Sequence, residues 1–151
     1  MSRQAYKPKK LFTVDEANAM LPLVRAIAKD VSELYHDLIE RQRRLDQLTG
    51  RRDIEAGDPY SDELVEMERE LEADQRRLRE YVEELQHLGV ELKGPADGLL
   101  DFPSELEGRI VYLCWKLGEP EVAHWHELDA GFAGRQSLAV GALDSADGHS
   151  H

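Results

Sequence analysis

One cysteine, Cys114, is all the thiol this 151-residue chain has. A lone thiol cannot close an internal disulfide, so nothing calls for an oxidising compartment. Basic side chains are also scarce. Nineteen Lys and Arg stand against 31 Asp and Glu, a formal net charge of −12. That deficit argues against nonspecific binding to nucleic acid or to an anionic membrane, which both need positive surface. Long apolar runs are missing, so no membrane span is expected. The basic N-terminus, Met1 to Lys10, is not followed by the unbroken apolar stretch of a signal peptide, because Asp15, Glu16 and Asn18 interrupt it. No Ser-His-Asp or Cys-His-Asn signature can be placed. The expectation is a cytoplasmic protein with no nucleic-acid partner and no membrane partner.

What the chain does have is helical periodicity. Residues 1–12 read as a flexible arm. Thr13 and Glu16 then match a capping box, which starts a helix. Pro22 removes a backbone donor and predicts a kink or restart near Leu21. Ala17, Val24, Val31, Leu38 and Leu45 form one heptad row; Met20, Ile27, Leu34, Arg41 and Leu48 form the other, broken at Arg41. Thr49-Gly50 offers a stop. Arg51 to Tyr60 has a loop composition, and Ser61 or Asp62 can cap a second helix. Leu64, Leu71, Leu78 and Leu85 continue the pattern beside Met67, Asp74, Tyr81 and Leu88, broken at Asp74, and Gly89 ends it.

Folding these helices back on one another levels Leu45 with Leu64, Leu38 with Leu71, Val31 with Leu78, and Val24 with Leu85. By that register Arg41 lies near Met67 and Glu68, about one to two heptads from Asp74. Each break would then seek a partner in a second copy, and apolar positions such as Leu21, Leu23, Tyr35, Ile39, Val65 and Val82 would need covering by the C-terminal sheet or by a second subunit. A homodimer, or a protein partner along the helical hairpin, is the expectation.

After Gly89 the period shortens. Val90 to Lys93 reads as a strand, Gly94 to Gly98 as a turn, and Leu99 to Phe102 as a second strand closed by Pro103. Ile110 to Glu127 then places two aromatic-rich runs around Gly118-Glu119-Pro120, a β-hairpin. A three-residue turn puts Cys114 opposite His124 and Tyr112 opposite His126, with Leu113, Trp115 and Trp125 on the other face. A two-residue turn sends Cys114 to the Trp125 face. The first register separates polar from apolar better. The fold expected is α+β: a long antiparallel two-helix hairpin, coiled-coil-like, followed by a small antiparallel β-sheet. It forms one domain over 13–136, with the helical hairpin at 13–89, the sheet and a loop at 90–136, and a mobile tail at 137–151.

Four segments resemble an uncharacterised prokaryotic family, domain-of-unknown-function family 2203. They are Phe12 to Pro22 (Phe-Thr-Val-Asp-Glu-Ala-Asn-Ala-Met-Leu-Pro), Tyr112 to Glu119 (Tyr-Leu-Cys-Trp-Lys-Leu-Gly-Glu), Trp125 to Asp129 (Trp-His-Glu-Leu-Asp), and Gly131 to Gln136 (Gly-Phe-Ala-Gly-Arg-Gln). The resemblance spans residues 11–138. It implies a bacterial protein and no particular reaction.

The hairpin carries the candidate chemistry. Alternation along a strand puts His124 and His126 on one face, and the preferred register adds Cys114. Thiolate and imidazole suit zinc or another divalent transition metal. The candidate ligands are Cys114, His124, His126 and Glu127, with Tyr112, Asp129, water or His36 as further sources of a fourth donor. The alternative is a buried, inert cysteine beside two polar-face histidines. Two Glu-x-x-His motifs, Glu33 to His36 and Glu84 to His87, have di-iron spacing but lie roughly 16 Å apart along the hairpin. Arg41, Arg43, Arg44, Arg51 and Arg52 are interspersed with acids, as a solvated face would be. Gly131 to Arg135 could present donors to an anion, or be a loop docked by Phe132. The function expected is a non-enzymatic oligomeric or interaction protein with a transition-metal site. The alternative is a small metal- or Cys/His-dependent enzyme.

Overall fold

The computed structural model describes residues 6–50 and 59–138. The expected loop from 51 to 58, the first five residues of the arm and the expected tail from 139 onward lie outside the described residues, while Ser137 and Leu138, placed in that tail, end a strand and enter the core respectively. Two helices are followed by a five-stranded antiparallel sheet: α1 (Val14–Gly50), α2 (Pro59–His87), β1 (Glu91–Gly94), β2 (Leu99–Leu106), β3 (Arg109–Lys116), β4 (His124–Glu127) and β5 (Gln136–Ser137), with the strands in sequential order across the sheet. Among the described residues no helix is long and apolar enough to cross a membrane.

The local signals explain the ends of the helices. Thr13 Oγ1 accepts from the Glu16 N–H at 3.0 Å, and Glu16 accepts from the Thr13 N–H at 2.9 Å, so the capping box is closed. α1 runs on through Pro22 without the expected restart. The proline denies one carbonyl its helical donor, while Ala17, Leu21, Val24 and Ala28 on the same stretch are buried in the core. α2 begins at Pro59, ahead of Ser61 and Asp62, where a proline is tolerated because a first-turn N–H has no helical acceptor. It ends in a Schellman motif. Val90 N–H donates to Leu85 O and Gly89 N–H to Gln86 O, both at 3.0 Å, with Gly89 at φ +87°.

The outer part of the rod is held by Leu34, Leu38, Leu45, Leu64 and Leu71, all buried. The heptad breaks answer each other within the chain. Arg41 Nη1 lies 2.7 Å from Asp74 Oδ2 and 3.0 Å from Asp37, which corrects the expectation that the two breaks lie too far apart to meet. The long arginine side chain reaches along the helix pair, so the two breaks meet within the chain although the apolar rows do not set them level. A dimer therefore has no unpaired break to satisfy at either position.

The sheet has two unlike faces because its residues alternate in direction. Leu100, Phe102, Val111, Leu113, Trp115 and Trp125 point to one face and share a core with Ala17, Leu21, Val24, Ala28 and Leu85 of the helices. Each such side chain contributes about 1.5–3 kcal/mol by leaving water. The β2–β3 turn is a two-residue hairpin with positive φ at Glu107 and Gly108, the mirror-image turn that fits strand twist.

β2 continues past Pro103 to Leu106 rather than closing there. β1 pairs with β2 only as far as Asp101, so Pro103 has no ladder donor to supply on that side. Its carbonyl instead accepts from Phe12 N–H at 2.7 Å. Residues 6–12 are thus docked, with Phe12 buried and Tyr6 hydrogen-bonded to Glu91, where a flexible arm was expected.

Candidate metal centre

The second face of the sheet carries Asp101 on β2, Tyr112 and Cys114 on β3, and His124 and His126 on β4. Register does this. Asp101 pairs with Cys114, Cys114 with His124, and Tyr112 with His126. The β3–β4 pairing is the one expected, although residues 117–123 form a longer connection than a three-residue turn. Asn18 Oδ1 holds that connection at the Val122 N–H, 2.7 Å away.

Asp101, Cys114 and His126 are all buried, and their donor atoms lie within 4.8 Å of one another. His126 Nδ1 sits 2.7 Å from the Glu127 carbonyl oxygen. A carbonyl only accepts, so Nδ1 carries the hydrogen. Nε2 then faces the Asp101 carboxylate, 3.1 Å from each oxygen. One proton can sit between them, or a cation can take its place. Burial pushes the Asp101 carboxyl above its ordinary range, opposed by His126. Burial, reinforced by the Asp101 charge, pushes the Cys114 thiol up to about 12. The thiol is therefore protonated at neutral pH unless a metal displaces the proton.

The surrounding charges are paired. Arg135 Nη1 is 3.9 Å from Cys114 Sγ, and its Nη2 is 2.5 Å from Glu119. Lys93 lies 3.2 Å from Glu91 and 3.8 Å from Asp101. Tyr112 donates to Glu91 at 2.9 Å.

The expected candidates divide. Cys114 and His126 are brought together. His124 shares their face and is half-buried, outside the group of three, with its Nδ1 buried and unpartnered. Glu127 lies on the other face, because it alternates with His126, and it pairs with Arg109 at 2.5 and 3.1 Å. Tyr112 is engaged by Glu91. Asp129 is exposed. His36 bonds the Ala96 carbonyl at 3.0 Å on α1, which packs against the opposite side of the sheet. The loop at Gly131 to Arg135 spends the Gly134 and Arg135 N–H groups on its own carbonyls. Its arginine is committed to Glu119, and Phe132, 39% exposed, stacks on Arg135 rather than entering the core.

Asp101 was not among the sequence candidates. Its signal was there: a carboxylate inside the apolar run Leu99-Leu-Asp-Phe102 needs a buried partner. Cys114 and His126 do not form a nucleophile–base pair, since both imidazole nitrogens of His126 are directed elsewhere.

Fold and site together define an α+β protein, a helical hairpin on a five-stranded sheet, with a buried carboxylate–thiol–imidazole group on the far face. The family model described as "Uncharacterized conserved protein (DUF2203)" matches residues 10–138, and the chain belongs to that family. No curated protein and no solved structure matches it.

Proposed function

We propose that this protein binds a divalent transition metal, zinc by preference, through Asp101, Cys114 and His126, and that its role is non-enzymatic. The observation that carries the reading is the orientation of His126. Its Nδ1–H is held by the Glu127 carbonyl, which aims Nε2 at a carboxylate beside a thiol. Imidazoles that ligate metals are oriented in this way by a backbone acceptor on the other nitrogen. One oxygen, one sulfur and one nitrogen donor suit zinc's borderline character. Binding replaces the thiol proton and the proton shared by Asp101 and His126. A cytoplasmic location, which keeps the single thiol reduced, belongs to the same reading.

Elemental analysis of freshly purified full-length chain tests it. About one zinc per chain is expected, lost in Cys114→Ser and in His126→Ala. Protein that carries no transition metal and takes up none when titrated with zinc or cobalt would sink the reading.

A second reading concerns the rod. A groove of about 680 Å³ beside Tyr35, Leu38, Ile39 and Leu78 leaves Ile39 42% exposed. Arg43 and Asp46 line it together. A two-fold axis passing between them would set each Arg43 against the partner's Asp46. Light scattering should then give a dimer at micromolar concentration and a monomer for Ile39→Asp; a wild-type monomer refutes it.

A further inference from the structure

We infer that His124 supplies a fourth protein ligand and closes the centre into a structural Asp-Cys-His-His site; this rests on the metal-binding reading above. Four observations converge on it. First, His124 is paired directly with Cys114, so their Cβ atoms sit about 5 Å apart on the same face. Second, its Nδ1 is buried with no hydrogen-bond partner, the condition an ion would relieve. Third, the other donors considered are taken or misplaced: Tyr112 by Glu91, Glu127 by Arg109, and His36 by a carbonyl on the helical side. Fourth, the charges balance. One carboxylate, one thiolate and two neutral imidazoles neutralise a divalent ion, while Arg135 with Glu119 and Lys93 with Glu91 neutralise each other nearby.

His124 is the first residue of β4, next to the 117–123 connection. Turning its imidazole into the group needs a side-chain rotation and leaves the ladder in place. The ion would then join β2, β3 and β4, and β4 is only four residues long. Four protein ligands leave no open position for substrate or an activated water, which separates a structural from a catalytic zinc site. The metal would act as a staple that holds the short β4 to β2 and β3.

Cobalt(II) titration of the full chain, followed by absorption spectroscopy, tests this. Wild type should show a thiolate-to-cobalt charge-transfer band and the intense visible bands of a tetrahedral site. His124→Ala should keep the charge-transfer band, lose the tetrahedral intensity, and bind zinc at least about tenfold more weakly. His126→Gln should depress binding further. If His124→Ala matches wild type in spectrum and zinc affinity, His124 is not a ligand and the closed site is wrong. If wild-type protein gives no charge-transfer band at all, the metal-binding reading itself fails, a result distinct from failure of the fourth ligand.

Discussion

Two acid–base pairs interrupt apolar patterns in this protein, one in the rod and one in the sheet. In the rod, Arg41 and Asp74 keep 23% and 27% of their side-chain surface, and Asp37 and Arg77 extend the pair into a small network. In the sheet, His126 and Asp101 keep 2% and 3%. The rod pair remains partly hydrated, so it can fix the helix offset at little cost. The sheet pair has given up its water, and an apolar pair of the same shape would often be as stable or more so. A buried pair that folding does not need is a reason to look for a ligand, and the thiol beside it supplies the third donor.

The largest expected effect comes from the apolar face. Trp115 is fully buried at the junction of sheet and helices, and its indole N–H donates to the Glu119 carbonyl at 3.0 Å. Trp115→Ala should lose about 3–5 kcal/mol in denaturant unfolding. A loss near 1 kcal/mol would mean that the sheet does not depend on the helical layer.

The contrast between the pairs can be tested directly in metal-free protein. Asp101→Ala leaves Nε2 of His126 unpaired in the interior and should cost about 1–3 kcal/mol. Asp74→Ala should cost about 1 kcal/mol or less, since its partners can rehydrate. Equal losses would break the comparison. Replacing Asp101 and His126 together with apolar residues of similar volume should recover much of the stability while abolishing metal uptake.

Thr13→Ala tests the start of α1. It removes the hydroxyl that accepts the Glu16 N–H and should cost about 1 kcal/mol by thermal or chemical unfolding. No change would mean that packing of Phe12 and Ala17 alone sets the helix start.

The smallest effect is a pH dependence at the docked arm. Burial alone would raise the Glu91 carboxyl, but hydrogen bonds from Tyr6 and Tyr112, with Lys93 nearby, hold it below its ordinary 4.5. A carboxylate lowered in the folded state stabilises the fold above its unfolded pKa. That contribution is lost as pH falls below 4.5 through the folded value. The stability profile of Glu91→Gln should therefore be flatter than wild type below pH 4.5 and parallel to it near neutrality. An unchanged acid limb would show that Glu91 is not linked to folding.

Much of this protein was legible in local pattern. Heptads and a capping box define the helices, because a helix is written in residues a few positions apart. The β3–β4 register was readable because sorting polar from apolar residues has a period of two, and of the two registers the turn allowed one sorts them better. The same alternation placed Glu127 opposite His126, so its exclusion from the group was already in the sequence.

Other features depended on contacts between distant segments. The rows of leucines fit more than one offset of the two helices, and only the structure shows Arg41 within reach of Asp74. The arm looked unstructured until the edge of β2 beyond β1 offered Phe12 an acceptor at Pro103. Asp101 joined Cys114 only because β2 pairs with β3 through a two-residue turn, and His126 joined them through β4. By itself the sequence determined which residues share a face of each strand, a consequence of backbone geometry. Which strands lie side by side, and so which three donors meet away from water, was decided by packing the sheet's apolar face against the helices.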